Sequence, residues 1–237
     1  MTRTPARIVL RVFLALATVH LVWHLTGQEA YASASQWFLM PVLAAYLLIR
    51  TRGAARGRLV TLTLVALGFS WLGDGAPDLA EGDISFLLMV GFFLVAQVVY
   101  IVAFWPHRHQ SVLHQRRGLL LPYAVAIAAL ILACAPHAGA LLVPVLVYGL
   151  LLGTMAVLAT GLNGLVWAGG ALFLVSDGLI ALNAFAPWWD LPGQGFWVML
   201  TYIAAQLLIV LGVLREAPAP VGRGPQVASV NAVDPAP

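Results

Sequence analysis

The sequence has no lysine, one cysteine and little charge of either sign. Without lysine there is no side-chain amine for a Schiff base, which excludes retinal and pyridoxal phosphate as bound groups. A lone Cys134 excludes an intrachain disulfide. Charged residues make up 9% of the 237 positions, against about 25% in an ordinary soluble domain, so a single water-soluble core is excluded as well. What is abundant is apolar sequence, 62% of the chain, and it comes in blocks. Each block has the roughly 17–25 residues that a bilayer-crossing helix needs. The blocks lack the two-residue alternation of membrane barrel strands. Backbone groups cannot stay unpaired in lipid, so the blocks are helices. The net charge of +3 does not point to nucleic acid, because the arginines stand at the ends of apolar blocks, where topology explains them.

The expected fold is all-α, a polytopic integral membrane bundle of eight transmembrane helices over residues 8–25, 36–50, 59–79, 84–105, 119–135, 139–160, 163–185 and 194–214. Trp37 and Arg50 flank the short second span as interfacial anchors, and Gly161-Leu162-Asn163 makes a tight turn between the sixth and seventh. With the N-terminus in the cytoplasm, Arg3, Arg7, Arg11, Arg50, Arg52, Arg56, Arg58, Arg108, Arg116, Arg117, Arg215 and Arg223 all fall on that side. Glu29, Asp78, Glu81, Asp83 and Asp190 fall on the other. This is a positive-inside pattern, expected of a multi-pass protein of the cell's inner membrane with both termini cytoplasmic. The first span followed by Ala32-Ser33-Ala34 also has the outline of a signal peptide, but His20, Trp23 and His24 suit a simple apolar signal region poorly. Residues 1–215 form one transmembrane domain. Residues 216–237, rich in Pro, Ala and Gly, are expected to be a disordered cytoplasmic tail.

The two halves, 8–105 and 119–214, look alike. Met40-Pro41-Val42-Leu43 parallels Val143-Pro144-Val145-Leu146, with Tyr46 and Tyr148 following. Gly73-Asp74-Gly75 parallels Ser176-Asp177-Gly178 at the same offset of 103 residues, and Gln97 parallels Gln206 at 109. A parallel four-plus-four repeat about an axis along the membrane normal is the expectation, with both prolines near the starts of their spans, where a missing N–H costs little.

Of the acidic residues, only Asp74 and Asp177 lie inside apolar spans, Asp78 standing at the outer edge of the third. A carboxylate there costs several kcal/mol, so such residues mark function by default. At 1.5 Å per residue both sit about 21–23 Å from the cytoplasmic ends of their helices. Tyr148 and Tyr202 reach the same level, Gln206 shares a face with Tyr202, Ser70 precedes Asp74 by one turn, and Ser176 adjoins Asp177. The stripe Gly170, Phe173, Ala181 and Ala184 is mostly small and expected at a helix interface. His107, His109 and His114 lie in a basic loop and read as solvated or headgroup-facing rather than as metal ligands; no metal site is expected. His20 and His24 share a face near the outer end of the first span and read as interfacial, with the lining of an entrance as the lesser alternative.

These residues carry a family resemblance. Leu67-Gly68-Phe69-Ser70-Trp71-Leu72-Gly73-Asp74 resembles the F-S-x-x-G-D element of the lysoplasmalogenase family, the YhhN-like membrane proteins. The helix containing Phe93, Gln97, Tyr100 and Phe104 is similar to the one that follows in the family. Gly170 to Asp177 resembles G-A-x-L-F-x-x-S-D, and Tyr202 to Gln206 resembles Y-x-x-A-Q. Two departures stand out: Met40-Pro41 where the family often has Lys-Pro, and Gln97 where it often has His. The resemblance implies a hydrolase of the lysoplasmalogen vinyl-ether bond that releases a fatty aldehyde and a glycerophospho-choline or -ethanolamine. The partners would be the lysophospholipid substrate and membrane lipids, with no nucleic acid and no cofactor; the oligomeric state stays open.

Vinyl-ether hydrolysis begins with protonation of an alkene carbon and passes through an oxocarbenium ion. Glycosidases handle such ions with paired carboxylates. Asp74 and Asp177 are the expected acid and base, in an order the sequence leaves open. Tyr148, Tyr202, Gln97, Gln206, Tyr100, Ser70 and Ser176 are the expected substrate-positioning groups. A proton-coupled transporter is the competing reading, since intramembrane acids and repeats are transporter features too, and a lipid-binding scaffold is the third.

Overall fold

The structure is a computed structural model that describes residues 3–53 and 55–217. Nine α-helices are present among the described residues: α1 (Arg3–Leu25), α2 (Glu29–Arg50), α3 (Arg58–Gly75), α4 (Gly82–Phe104), the four-residue α5 (Val112–Gln115), α6 (Leu120–Cys134), α7 (Leu142–Ala159), α8 (Gly164–Phe185) and α9 (Gln194–Glu216). Short 3-10 turns extend several of them. Eight segments are long and apolar enough to cross a membrane, and they coincide in number and order with the eight expected spans. The protein is therefore an all-helical, multi-pass membrane protein.

The element furthest from expectation is α2, which starts at Glu29 rather than at residue 36. Gly27, at φ +68°, makes the tight reversal out of α1 that no β-carbon-bearing residue takes easily. The helix then runs straight through Ala32-Ser33-Ala34. Two corrections follow. Pro41 lies mid-helix in α2, whereas Pro144 stands in the first turn of α7, so the two prolines are not at equivalent depths. The second span is also not short, since α2 has 22 residues, and Trp37 lies within it, its indole N–H donating to Asp78 at the acidic end (3.0 Å) and its carbonyl accepting from the Trp71 indole (2.9 Å).

At the reversal between α7 and α8, the Asn163 side-chain oxygen accepts from the N–H groups of Leu165 and Val166, a cap that satisfies two otherwise orphan donors. The Asn163 amide donates to the Gly212 carbonyl (3.0 Å) and to Glu216 (2.8 Å), tying this turn to the end of α9. Gly161 permits a backbone approach to His107 and Ser111 that a β-carbon would block. The histidine loop is thereby packed on this turn, and one His107 ring nitrogen is buried. The proposed tail lies outside the described residues beyond Ala217; Glu216 is the last residue of α9.

Consecutive helices α1 to α4 pack on one another, α4 packs on α7, α7 on α8 and α8 on α9, and α9 closes the bundle against α1, α2 and α3. The α8–α9 contact is the most extensive. A β-carbon at Gly169 would stand 2.8 Å from the Ala205 carbonyl oxygen, so the small-residue rule for membrane helices operates there. The expected stripe on α8 is split. Gly170 meets Ala159 of α7 and Phe173 is buried, but Ala181 lines a pocket and Ala184 is exposed. Helix α6 lies outside the ring against α7 and α8, and Cys134 is its only buried residue. Because consecutive spans reverse direction, the arginines of α1, of the α2–α3 and α4–α6 connections and of α9 share one end, here the arginine end. Glu29, Asp78, Glu81, Asp83 and Asp190 mark the other, acidic end.

Candidate functional site

Asp74 sits in the last turn of α3, and Asp177 lies two turns short of the acidic end of α8. Both are nearly sealed, at 6% and 5% exposure, and both line one cavity of about 320 Å³. The small residues beside Asp74 explain how it fits. A β-carbon on Gly73 would meet the Phe93 ring at 2.9 Å, and one on Gly75 would meet the Trp37 ring at 2.5 Å. Two aromatic rings thus press on the α3 backbone on either side of the carboxyl.

Each aspartate is held by one phenol and one amide. The Tyr202 hydroxyl donates to Asp74 Oδ2 (2.9 Å), and the Gln36 amide donates to Oδ1 (3.2 Å). The Tyr148 hydroxyl donates to Asp177 Oδ2 (2.5 Å), and the Gln97 amide donates to that same oxygen (3.3 Å). Tyr202 and Gln206 are one turn apart on α9, and Asp74 and Ser70 are one turn apart on α3. The two pairs dock as rungs, since the Gln206 amide also donates to Ser70 Oγ (3.0 Å). Tyr100 of α4 completes the layer by donating to Gln206 Oε1 (2.7 Å).

The nine residues expected at the centre divide by this geometry. Asp74, Asp177, Tyr202 and Ser176 face the cavity, and Tyr148 and Asp177 face a second, adjoining pocket. Gln97 touches Asp177 from the side. Tyr100, Gln206 and Ser70 do not line either space; they form a fully buried polar layer beneath it, towards the arginine end. The Ser176 hydroxyl proton is committed to the Val198 carbonyl (3.1 Å), so this group pins α8 to α9.

Several groups were missed. Gln36 is a direct partner of Asp74, yet with the second span begun at residue 36 it stood at the span's edge instead of two turns inside it. His20 is not interfacial. It is fully buried, with its ring Nδ1 2.8 Å from Ser35 Oγ, and its ring lies edge-on to His24. His24 lines the cavity, and its ring fits because residue 195 has no β-carbon, the would-be atom falling 2.8 Å from His24 Nδ1. Asp78, Asn183 and Gln194 complete the polar rim at the acidic end. Beneath the carboxyls, Phe93, Phe173 and Tyr202 meet edge-to-face, with ring centroids 5.6–6.4 Å apart, a stable arrangement for aromatic rings.

The second space is an apolar slot of about 70 Å³ between α4, α6, α7 and α8. It shares Met89, Phe93, Asp177 and Ile180 with the polar cavity. Those four residues therefore stand where a polar and an apolar lobe meet.

Comparison with known proteins bears on what this arrangement does. A lysoplasmalogenase TMEM86B from Sus scrofa is 32% identical over 212 residues, which cover 86% of this chain and 85% of that protein. The Rattus norvegicus protein of the same name is 33% identical over 159 residues, 62% of this chain and 64% of its own length. The Homo sapiens protein is 45% identical over 78 residues, about a third of each chain. No solved structure matches the chain. The sequence model of the YhhN family matches residues 31–213, which hold both aspartates and all of their hydrogen-bond partners. This chain belongs to the YhhN family.

Proposed function

We propose that this protein hydrolyses the vinyl-ether bond of a lysoplasmalogen within the membrane, releasing a fatty aldehyde and a glycerophospho-base. The observation that carries the reading is the pair of buried carboxyls from α3 and α8 facing one cavity, each held by a phenol and an amide. The reaction needs a proton for an alkene carbon, a nearby negative charge for the oxocarbenium ion and a base for water; two carboxyl groups supply all three. No cofactor enters this chemistry. The names of the relatives support the reading.

The polar rim suits the rest of such a lipid. His24 can donate to a phosphate oxygen, and Asp78, whose Oδ2 already accepts from Ser33 and Trp37, keeps Oδ1 for an ammonium head. The apolar slot, about 70 Å³, has room for the first few carbons of one hydrocarbon chain. The arginine end is proposed to be cytoplasmic, by the positive-inside rule, which would put the rim at the opposite face. A parallel repeat is supported by packing, since α4 lies on α7 as α9 lies on α2, with the two prolines at different depths in the equivalent helices.

A carrier would need alternate access from both ends. The buried Tyr100, Gln206 and Ser70 layer closes the cavity towards the arginine end, and a carrier would have to open it, whereas aldehyde release would not need to. The test is aldehyde release by purified protein in detergent, without a gradient, from an alkenyl-glycerophosphoethanolamine. Asp74→Asn and Asp177→Asn should each abolish release while the protein still inserts and purifies. Near-normal turnover by either variant refutes the proposal.

A further inference from the structure

The two aspartates differ in what surrounds them, and the difference assigns their roles. Asp74 faces only the polar cavity, whereas Asp177 faces both that cavity and the apolar slot. Their hydrogen bonds differ too. Asp74 accepts one bond on each oxygen, from Gln36 and Tyr202. Asp177 accepts two bonds on Oδ2, from Tyr148 and Gln97, and none on Oδ1 among the described residues. Asp177 itself lines both spaces. A carboxyl group whose two oxygens both receive donors is arranged as a carboxylate. One with both donors on a single oxygen has the other free to carry a hydrogen.

The substrate has its own order of atoms. Running from chain to headgroup it reads alkyl chain, alkene carbon 2, alkene carbon 1, ether oxygen, glycerol. Carbon 2 takes the proton and carbon 1 takes the water. A chain seated in the slot and a glycerol in the polar cavity put carbon 2 on the slot side of the junction at Phe93, Met89 and Ile180. Carbon 1 is then on the wet side.

Given the vinyl-ether reading, the geometry points to Asp177 as the acid that protonates carbon 2 and Asp74 as the base that activates water at carbon 1. In the first step Asp177 Oδ1 gives its proton to carbon 2. The alkene π pair forms the C–H bond, and the ether oxygen lone pair closes the oxocarbenium ion. Water then bonds to carbon 1 as Asp74 takes one of its protons, giving a hemiacetal. In the collapse, the hemiacetal hydroxyl returns a proton to Asp177 and the carbon 1–ether oxygen bond breaks. The proton on Asp74 passes to the departing glycerol oxygen. One water is consumed, one aldehyde and one alcohol are formed, and both carboxyl groups end as they began.

Azide separates the two roles, because it adds to an oxocarbenium ion without needing a base to deprotonate it. Asp74→Ala and Asp177→Ala are purified in detergent and given alkenyl-glycerophosphoethanolamine with and without sodium azide. Vinyl-ether loss and the α-azido ether are followed by mass spectrometry. Asparagine variants at both positions, which keep the side-chain shape, stand in for any alanine variant that does not fold. Binding of the saturated alkyl-ether analogue checks that the site is intact. The expected result is that azide raises consumption by the Asp74 variant on the order of tenfold or more, part of the 10²–10⁴ that a positioned base supplies, and yields the azido ether. The Asp177 variant should stay silent. Rescue of the Asp177 variant alone, or of neither, overturns the assignment while leaving the paired-carboxyl reading in place. Normal water-dependent turnover by either variant without azide removes that reading itself.

Discussion

The Gly73→Ala substitution tests whether the packing around Asp74 sets the geometry of the site. The added β-carbon would lie 2.9 Å from two atoms of the Phe93 ring, where ordinary carbon–carbon contact begins near 3.5 Å. Phe93 has little room to withdraw, since its ring is edge-on to both Phe173 and Tyr202. The strain must go into a ring shift of about half an ångström or a displacement of α3, and overpacking of this kind costs about 1–3 kcal/mol. The same shift moves Asp74 and the junction between the two lobes, and a misplacement near 1 Å costs on the order of 10²-fold in rate. Gly68→Ala is the internal control. It lies on the same helix, a β-carbon there meets nothing within 4 Å, and exchanging glycine for alanine favours a helix by about 1 kcal/mol. Thermal unfolding in detergent and aldehyde release would be measured on both. Lowered melting and at least tenfold slower release are expected for Gly73→Ala, against unchanged or raised melting with normal release for Gly68→Ala. Equal behaviour of the two variants would show that Phe93 is free to move, and the packing argument would fail.

Three more outcomes follow from the hydrogen bonds and the slot. Tyr202→Phe removes a donor from Asp74 Oδ2. Bonds to charged groups contribute about 1.5–3 kcal/mol to stability, so thermal stability in detergent should fall, and kcat should fall with the loosened carboxyl, as melting and steady-state kinetics would report. Tyr100→Phe strands the buried Gln206 Oε1, so it should cost about 1–3 kcal/mol of stability, seen as reduced thermal stability in detergent. Ala181→Phe fills the apolar slot and should raise KM for long-chain alkenyl substrates far more than for a short-chain analogue; equal effects on both would count against the slot as the chain's seat.

The eight spans and the two aspartates were legible because lipid imposes one simple penalty on charge. Asp74 and Asp177 interrupt apolar sequence, and nothing but a partnered interior position tolerates them. The rungs on α3 and α9 were legible for a related reason, since a one-turn spacing puts Tyr202 with Gln206, and Ser70 with Asp74, on common faces. Gln36 and His24 were not, because their positions depend on where neighbouring chain turns. Gln36 needed a helix begun at Glu29, and His24 needed the bare backbone of Gly195 across the bundle from it. The apolar slot left no trace in composition. Met89, Phe93, Ile180 and Ala181 resemble any other lipid-facing residues until the packing of α6 decides which side of them is enclosed.

That outlying helix has a consequence of its own. Helix α6 supplies Leu130 and Ile131 to the slot, and its contacts with α7 and α8 fall where glycines leave room: Ile127 at Gly153, Ile131 at Gly149 and Leu130 at Gly178. Hydrocarbon tails are as apolar as these side chains, so burial from water does not drive the helix home and only close fit holds it. One wall of the slot is thus the helix with the least hold on the bundle, the one on which a mismatch between span length and bilayer thickness would act most readily. The width offered to a hydrocarbon chain becomes a property shared between the protein and the membrane that holds it.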